Sequence, residues 1–350
     1  MPEYRRVGGV WVLLRGATPP PPAAATAFAT ATVSAYVPSA RSVLVPGTYK
    51  PDDSTTGTLP GVALATVNGD VTISTAGTVY ENKMVMGRIS VSAANVTIRN
   101  CWARGPQTDT VRAARDSSLG LIQCTNAAAS NVVVEDCLLQ PDFPSNSING
   151  ILGHDFTARR VRFKYCSDMI GVYNTNTGFT NSPVRVRVLG CLGDENVFWR
   201  PSDLGGTREE GTHNDCSQIQ SGSDIQYVGN VFKGAYCTTK GEFALADPAH
   251  QGQSTACLMI TPAVGLVADV LYDRNWLYGG SIQINVAEGG RGGIPDLRIT
   301  GNKFDHSNAS ATQYRVGLIN AATYDLAVIT GNTFEDGVGT PVFTRVNSTA

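Results

Sequence analysis

A repeat constrains this chain more than any other feature. "VTIRNCW", "VVVEDCL", "ARRVRF", "VRVLGCL", "IQYVGNVF", "VLYDRNWL", "LRITGNKF" and "AVITGNTF" each read as an apolar strand, a turn residue and a large apolar residue. The turn position is taken as Asn100, Asp136, Val161, Gly190, Asn230, Asn275, Asn302 and Asn332, at intervals from 25 residues (Asp136 to Val161) to 45 (Asn230 to Asn275). A second set, "LGLIQC", "NGILG", "IGVYN", "SQIQS", "CLMIT", "SIQINV" and "VGLIN", falls between them. Each unit therefore carries at least two short strands.

A unit of this size cannot bury its apolar face alone, but stacked coils can, with like residues over like. A recurrent Asn suits a turn where stacked amides hydrogen-bond along the stack. Trp102, Phe163, Phe232, Phe304 and Phe334 follow the turn and read as an interior stack. A β-propeller is the rival, but its four-stranded blades of about 40–50 residues are too long for most of these units. The expected fold is all-β: a single-stranded right-handed parallel β-helix of about eight to eleven coils. The long unit from Gly190 to Asn230 is expected to hold one rung plus a protruding loop.

Three segments are expected. Residues 1–16 form an N-terminal attachment segment, 17–38 a Pro/Ala/Thr-rich linker ("ATPPPPAAATAFATAT"), and 39–350 the β-helix, with candidate strands in "RSVLVPGTYK" and "DVTIST". Charged residues are only 16%, Gly numbers 37, and the net charge is −2, which leaves no basic footprint for nucleic acid. No apolar run approaches the roughly 20 residues of a membrane span, so no membrane insertion is expected. The opening "MPEYRRVGGVWVLLRG" sketches a signal peptide, but its apolar run is short, contains Gly8 and Gly9, and is closed by Arg15. The eight cysteines form no CxxC pair, and free buried thiols are the expectation over disulfides or zinc. No cofactor or metal is implied. Asp194–Glu195 is the nearest acidic pair, and it reads as a solvated turn.

Residues 40–340 resemble the pectate-lyase-like right-handed β-helix superfamily, through "VPGTYK", "VTIRNCWARG", "TGNKF" and "TGNTF". The middle resembles an actinobacterial and phage version, in which "ARRVRFKYCSDMIGVYN" and "THNDCSQIQSGSDIQYVGNVF" match an Arg rung, an Asp, and then His-x-Asp-x-x-Gln. The start, "YRRVGGVWV", is similar to the opening of minor tail proteins of phages infecting actinobacteria. The resemblance implies a virion protein assembled in the host cytoplasm, a homotrimer whose first segment meets other tail or capsid proteins, and a rod that meets host cell-surface polysaccharide. The alternative is a secreted or virion-borne polysaccharide-degrading enzyme, extracellular in the first case.

The candidate site is His213 to Gln220. Val172 in "IGVYN" and Ile219 in "SQIQS" share a strand position, so Asp168 and Asp215 both lie four residues earlier. On adjacent rungs they would be about one strand spacing, ~5 Å, apart. Two carboxylates that close push one pKa up, leaving an acid beside a base or nucleophile, at a separation seen in retaining glycosidases. Asp168, Asp215 and His213 are thus the candidate catalytic residues. Tyr173, Trp199, Arg200, Glu209, Gln218 and Gln220 are the candidate glycan contacts, offering aromatic faces, amides and charges to sugar rings. A lyase would need a base such as Lys164, Arg200, Arg208 or Lys240, and no spacing singles one out. The competing reading is structural: an Asp at the head of a rung satisfies backbone amides.

Overall fold

The computed structural model describes residues 4–7, 10–13, 40–107, 119–174, 183–194, 196, 214–234, 256–280, 282–306 and 314–347, with side chains from Arg41 onward. The chain divides into two compact units, Met1–Pro38 and Ser39–Ala350. In the first, Tyr4–Val7 pairs antiparallel with Val10–Leu13.

The second unit is a parallel β-helix. Its strands form three all-parallel sheets, each pairing a strand with the third strand before and after it in the chain. Sheet I has ten strands, running from Val71–Ile73 through Ile170–Val172, Ser217–Ile219 and Ala256–Ile260 to Val342–Val346. Sheet II has nine, from Val79–Glu81 to Val328–Thr330, and sheet III ten, from Ala65–Asn68 to Thr333–Phe334. Each coil visits sheets III, I and II in turn. The long unit adds a single coil: Leu192–Asp194 pairs with Val231–Lys233 while Ser217–Ile219 pairs with Ile170–Val172.

Burial alternates along the strands because successive side chains point to opposite faces. Val134, Ala158, Val188, Tyr227, Tyr272 and Ile299 fill the interior of sheet II, and Leu139, Phe163, Phe232, Leu277, Phe304 and Phe334 that of sheet III. Trp102 does not belong to that stack. It pairs with Met84 and Leu138 in the neighbouring, outward column, under the Arg104 guanidinium at 4.6 Å from its ring.

The corner from sheet II to sheet III explains the repeat and corrects its reading. It has two positions, not one. The first is left-handed at every coil: Asn82, Asn100, Asp136, Arg160, Gly190, Gly229, Arg274, Gly301 and Gly331 all have φ between 48° and 68°. The second, one residue on, turns inward and is Cys101, Cys137, Val161, Cys191, Asn230, Asn275, Asn302 and Asn332. Asn100, Asp136 and Gly190 therefore belong to the first column, and the four later Asn to the second. Both positions accept Asn, for different reasons: the first for its tolerance of positive φ, the second for its amide.

In the second column the amides form a ladder. The Oδ1 of Asn275, Asn302 and Asn332 each accepts both the backbone N–H and the Nδ2 of the Asn one rung earlier, at 2.9–3.0 Å. Three of the four earlier positions carry thiols, Cys101, Cys137 and Cys191, and the fourth is Val161. The seven described cysteines are all free and buried; Cys237 lies outside the described residues.

Residues 41–59 form no strand, against the expectation for "RSVLVPGTYK". After a short 3-10 turn at Ala40–Val43 they make a strap lying on the coils of their own unit. Gly57 N–H donates to Arg160 O at 3.0 Å, and Leu59 N–H to Asn100 Oδ1 at 2.7 Å. A Cβ on Gly190 would come within 2.5 Å of the Tyr49 hydroxyl, and one on Gly229 within 2.0 Å of Gly47 N. Glycine stands at those two corners because the strap passes there. Beneath residues 50–54, Leu192 and Val231 face outward from sheet III yet are almost fully buried, at the edge of a cavity of about 470 Å³.

Candidate functional site

Between successive described strands the II–III corner takes one or two residues at each coil, whereas the three longest intervals, 104–118, 195–216 and 234–255, all fall between a strand of sheet III and the next strand of sheet I. Function on a rigid scaffold is carried beside such intervals, so the described residues of the outer face of sheet I next to them are the candidate site.

Asp168 and Asp215 sit at its root. Val172 pairs with Ile219 and Gly171 with Gln218, which puts the two aspartates on neighbouring rungs. Their carboxyls satisfy backbone amides, as the competing structural reading expected, in a ladder that also takes in Asn149, which the sequence reading did not name. Asn149 Oδ1 accepts the Asp168 N–H at 3.0 Å, Asp168 Oδ1 the Asp215 N–H at 2.9 Å, and Asp215 Oδ1 the Ala256 N–H at 2.8 Å. Asn196 joins from the side, its Nδ2 reaching Cys166 O at 3.3 Å and Asp215 O at 3.4 Å. The signal was present in the chain: Asn149, Asp168 and Asp215 each stand two residues ahead of paired strand positions, Ile151, Ile170 and Ser217.

Asp215 is 6% exposed, and Asp168 is half-buried. Burial raises the Asp168 pKa to about 6 against the pull of the Asp215 amide. Burial, then the Asp168 charge, holds Asp215 well above the usual carboxylate range. The pair is thus an acid beside a weaker acid, each with one oxygen committed to a backbone amide.

On the outer face of sheet I, Gln218 lies between Gly171 and Met259, and Gln220 Nε2 donates to Gln218 Oε1 at 3.0 Å. Ile219 between them points inward and is fully buried. Tyr173 is half-buried one rung from Gln220, and burial raises its phenol pKa. The sequence-predicted residues Asp168, Asp215, Tyr173, Gln218 and Gln220 are therefore brought to two neighbouring coils. His213, Trp199, Arg200 and Glu209 lie outside the described residues.

One further cluster had no sequence signal. His154 stands in the same column as Tyr173, one rung earlier. Its Nδ1 lies 3.1 Å from Asp155 Oδ2, and Asp155 Oδ1 accepts the Arg185 Nε–H at 2.8 Å. The His154 ring is buried, and its Nε2 has no hydrogen-bond partner among the described residues.

Among the described residues no group of acidic, histidine or cysteine side chains is arranged to hold a metal ion, and no helix is long and apolar enough to cross a membrane. Comparison with known proteins finds no matching family model, no matching curated protein and no matching solved structure.

Proposed function

We propose that this chain is a phage structural protein, a minor tail protein, fibre or spike, whose β-helix carries a glycan-contacting surface along its III–I corner. The observation that carries the reading is that the three longest intervals between described strands all fall at that one corner, beside a row of half-buried aromatic and amide side chains on sheet I. Sugar rings are recognised by such faces and amides. The pectate-lyase-like resemblance, the phage-like opening residues and the Pro-rich spacer support a virion rod held at its N-terminal segment. Homotrimerisation and contact of residues 1–16 with tail or capsid proteins follow from that resemblance. In this reading the surface binds without cutting, because each carboxyl of the Asp168–Asp215 pair has an oxygen committed to the next rung's amide.

A second reading, a hydrolase, is favoured by one observation: two carboxyls on neighbouring rungs with raised pKa values. Incubating the purified chain with host cell-wall polysaccharide separates the two. The binding reading expects the chain to sediment with the polysaccharide and to release no reducing or unsaturated ends. New ends would replace it with the hydrolase or lyase reading.

A further inference from the structure

Three thiols share one column at the II–III corner, and two of them lie on neighbouring rungs. Cys101, Cys137 and Cys191 occupy its second position, with Val161 between the last two. All three are buried in the core. The Cys101 thiol donates to Arg99 O at 3.3 Å and Tyr80 O at 3.6 Å, and the Cys137 thiol to Glu135 O at 3.2 Å and Ile98 O at 3.6 Å. Arg99 pairs with Glu135 and Tyr80 with Ile98, so the two side chains hold one pose a single rung apart. Cys191 holds that pose too, donating to Leu189 O at 3.7 Å and Ala158 O at 3.6 Å. Equal poses repeat at the strand spacing, about 4.8 Å. Cys101 and Cys137 are thus within disulfide reach, for which Cα atoms lie about 4.4–6.8 Å apart, whereas Cys137 and Cys191 are about 9.6 Å apart, beyond it. Ser217 pairs with Leu258, which makes Cys216 and Cys257 rung neighbours as well, but among the described residues only the corner pair has both thiols fixed in one pose by hydrogen bonds. Burial, then the Cys101 thiol beside it, holds the Cys137 thiol well above its ordinary pKa, so the folded rod offers little thiolate there.

We infer that Cys101 and Cys137 are a disulfide-forming pair, a covalent staple between two coils whose state is set while the rod winds. The oxidant is a low-molecular-weight disulfide such as glutathione disulfide. The thiolate of one cysteine attacks it, forms a mixed disulfide and expels one glutathione thiolate. The facing thiolate then attacks the chain sulfur of that mixed disulfide, closes the bridge and expels the second. The two thiol protons pass to the expelled thiolates. Two chain thiols and one glutathione disulfide therefore become one bridge and two glutathione thiols. Winding buries the pair, so a coil closed in a reducing medium keeps its thiols, and one closed with the oxidant keeps its bridge.

The test is cell-free synthesis of the full chain, once with glutathione disulfide and once with reduced glutathione alone. Free thiols are alkylated on denaturation, and bridges are mapped by mass spectrometry without reduction. With the oxidant, the peptides holding Cys101 and Cys137 are expected joined and two hydrogens lighter, with Cys191 alkylated. With reduced glutathione alone, all three should be alkylated. A soluble rod made with the oxidant in which Cys101 or Cys137 stays free, carries glutathione or joins another cysteine overturns the inference. Val161→Cys tests the spacing, because it puts a thiol one rung from Cys191, which should then become bridged. Cys191 left free in that variant, or bridged in the unsubstituted chain, refutes the rung rule and the inference with it. Should oxidised synthesis give no soluble rod, the reduced rod is held with glutathione disulfide in urea just below its unfolding transition. The same bridge is expected there, and its absence overturns the inference as well. None of these readouts involves glycan, so the staple stands or falls apart from the binding role.

Discussion

Replacing Asn302 by Ala removes a side chain that, like that of Asn275, makes four hydrogen bonds in the amide ladder. Its Oδ1 accepts the Asn275 N–H and Nδ2, both at 2.9 Å, and its Nδ2 donates to Tyr272 O at 2.9 Å and Asn332 Oδ1 at 3.0 Å. The residue has no exposed surface, so water cannot take over. The Asn275 N–H is left buried without its acceptor, at about 1–3 kcal/mol, and three further bonds are lost at about 1 kcal/mol each. Some relaxation recovers part of this, giving an expected loss of about 3–5 kcal/mol. Asn332 is partly exposed, and Asn332→Ala should cost only about 1–2 kcal/mol. Asn302→Asp should not rescue, because it puts an oxygen opposite Tyr272 O and Asn332 Oδ1. Urea unfolding of the four proteins measures the differences, with exchange at Asn275 reporting the local effect. A change within about 0.5 kcal/mol for Asn302→Ala, the range of ordinary surface substitutions, would refute the ladder.

Other expectations follow from the same geometry. Gly229→Ala should cost more than about 3 kcal/mol, or release the strap to early proteolysis, because its Cβ meets Gly47 backbone at 2.0 Å. Gly331→Ala, with the same backbone sign but no atom nearer than 3.5 Å, should cost only about 1–2 kcal/mol. Arg160→Met should lose about 3–5 kcal/mol in urea unfolding, since it strips the bidentate partner, 2.8 Å on both arms, from the fully buried Asp136. Deleting residues 1–16 should leave a soluble rod with an unchanged far-ultraviolet spectrum that no longer enters particles; normal incorporation would remove the attachment role.

Much of the rod could be read from the chain because stacking repeats the same physical problem at each coil. The pairing of Val172 with Ile219, and hence the aspartate register, came from aligning two short strands, since like residues lie over like. The II–III corner was read less well. Asn suits both of its positions, so Asn100 and Asn230 looked equivalent while lying in adjacent columns. Trp102 was misplaced for the same reason: one residue of slip sends a side chain to the other face. The strap was invisible because it has no period; Gly190 and Gly229, which it passes over, bear its mark, as do the outward-facing Leu192 and Val231 beneath it. The His154–Asp155–Arg185 cluster joins residues about 30 apart that only the coil spacing brings together. The role of the aspartates turned on a local contact, a side-chain oxygen reaching the next rung's amide, which spacing alone does not reveal.

The central claim is that the III–I corner binds glycan through its surface while Asp215 serves the scaffold. Asp215→Asn tests it directly, with the purified chain, host cell-wall polysaccharide, and bound fraction and released sugar ends read from the same tube. Asn keeps an acceptor for the Ala256 N–H, so the account predicts binding within about 3-fold of the unsubstituted chain and no released ends from either protein. Release by the unsubstituted chain that falls by orders of magnitude in Asp215→Asn, with binding intact, would contradict it and make Asp215 catalytic.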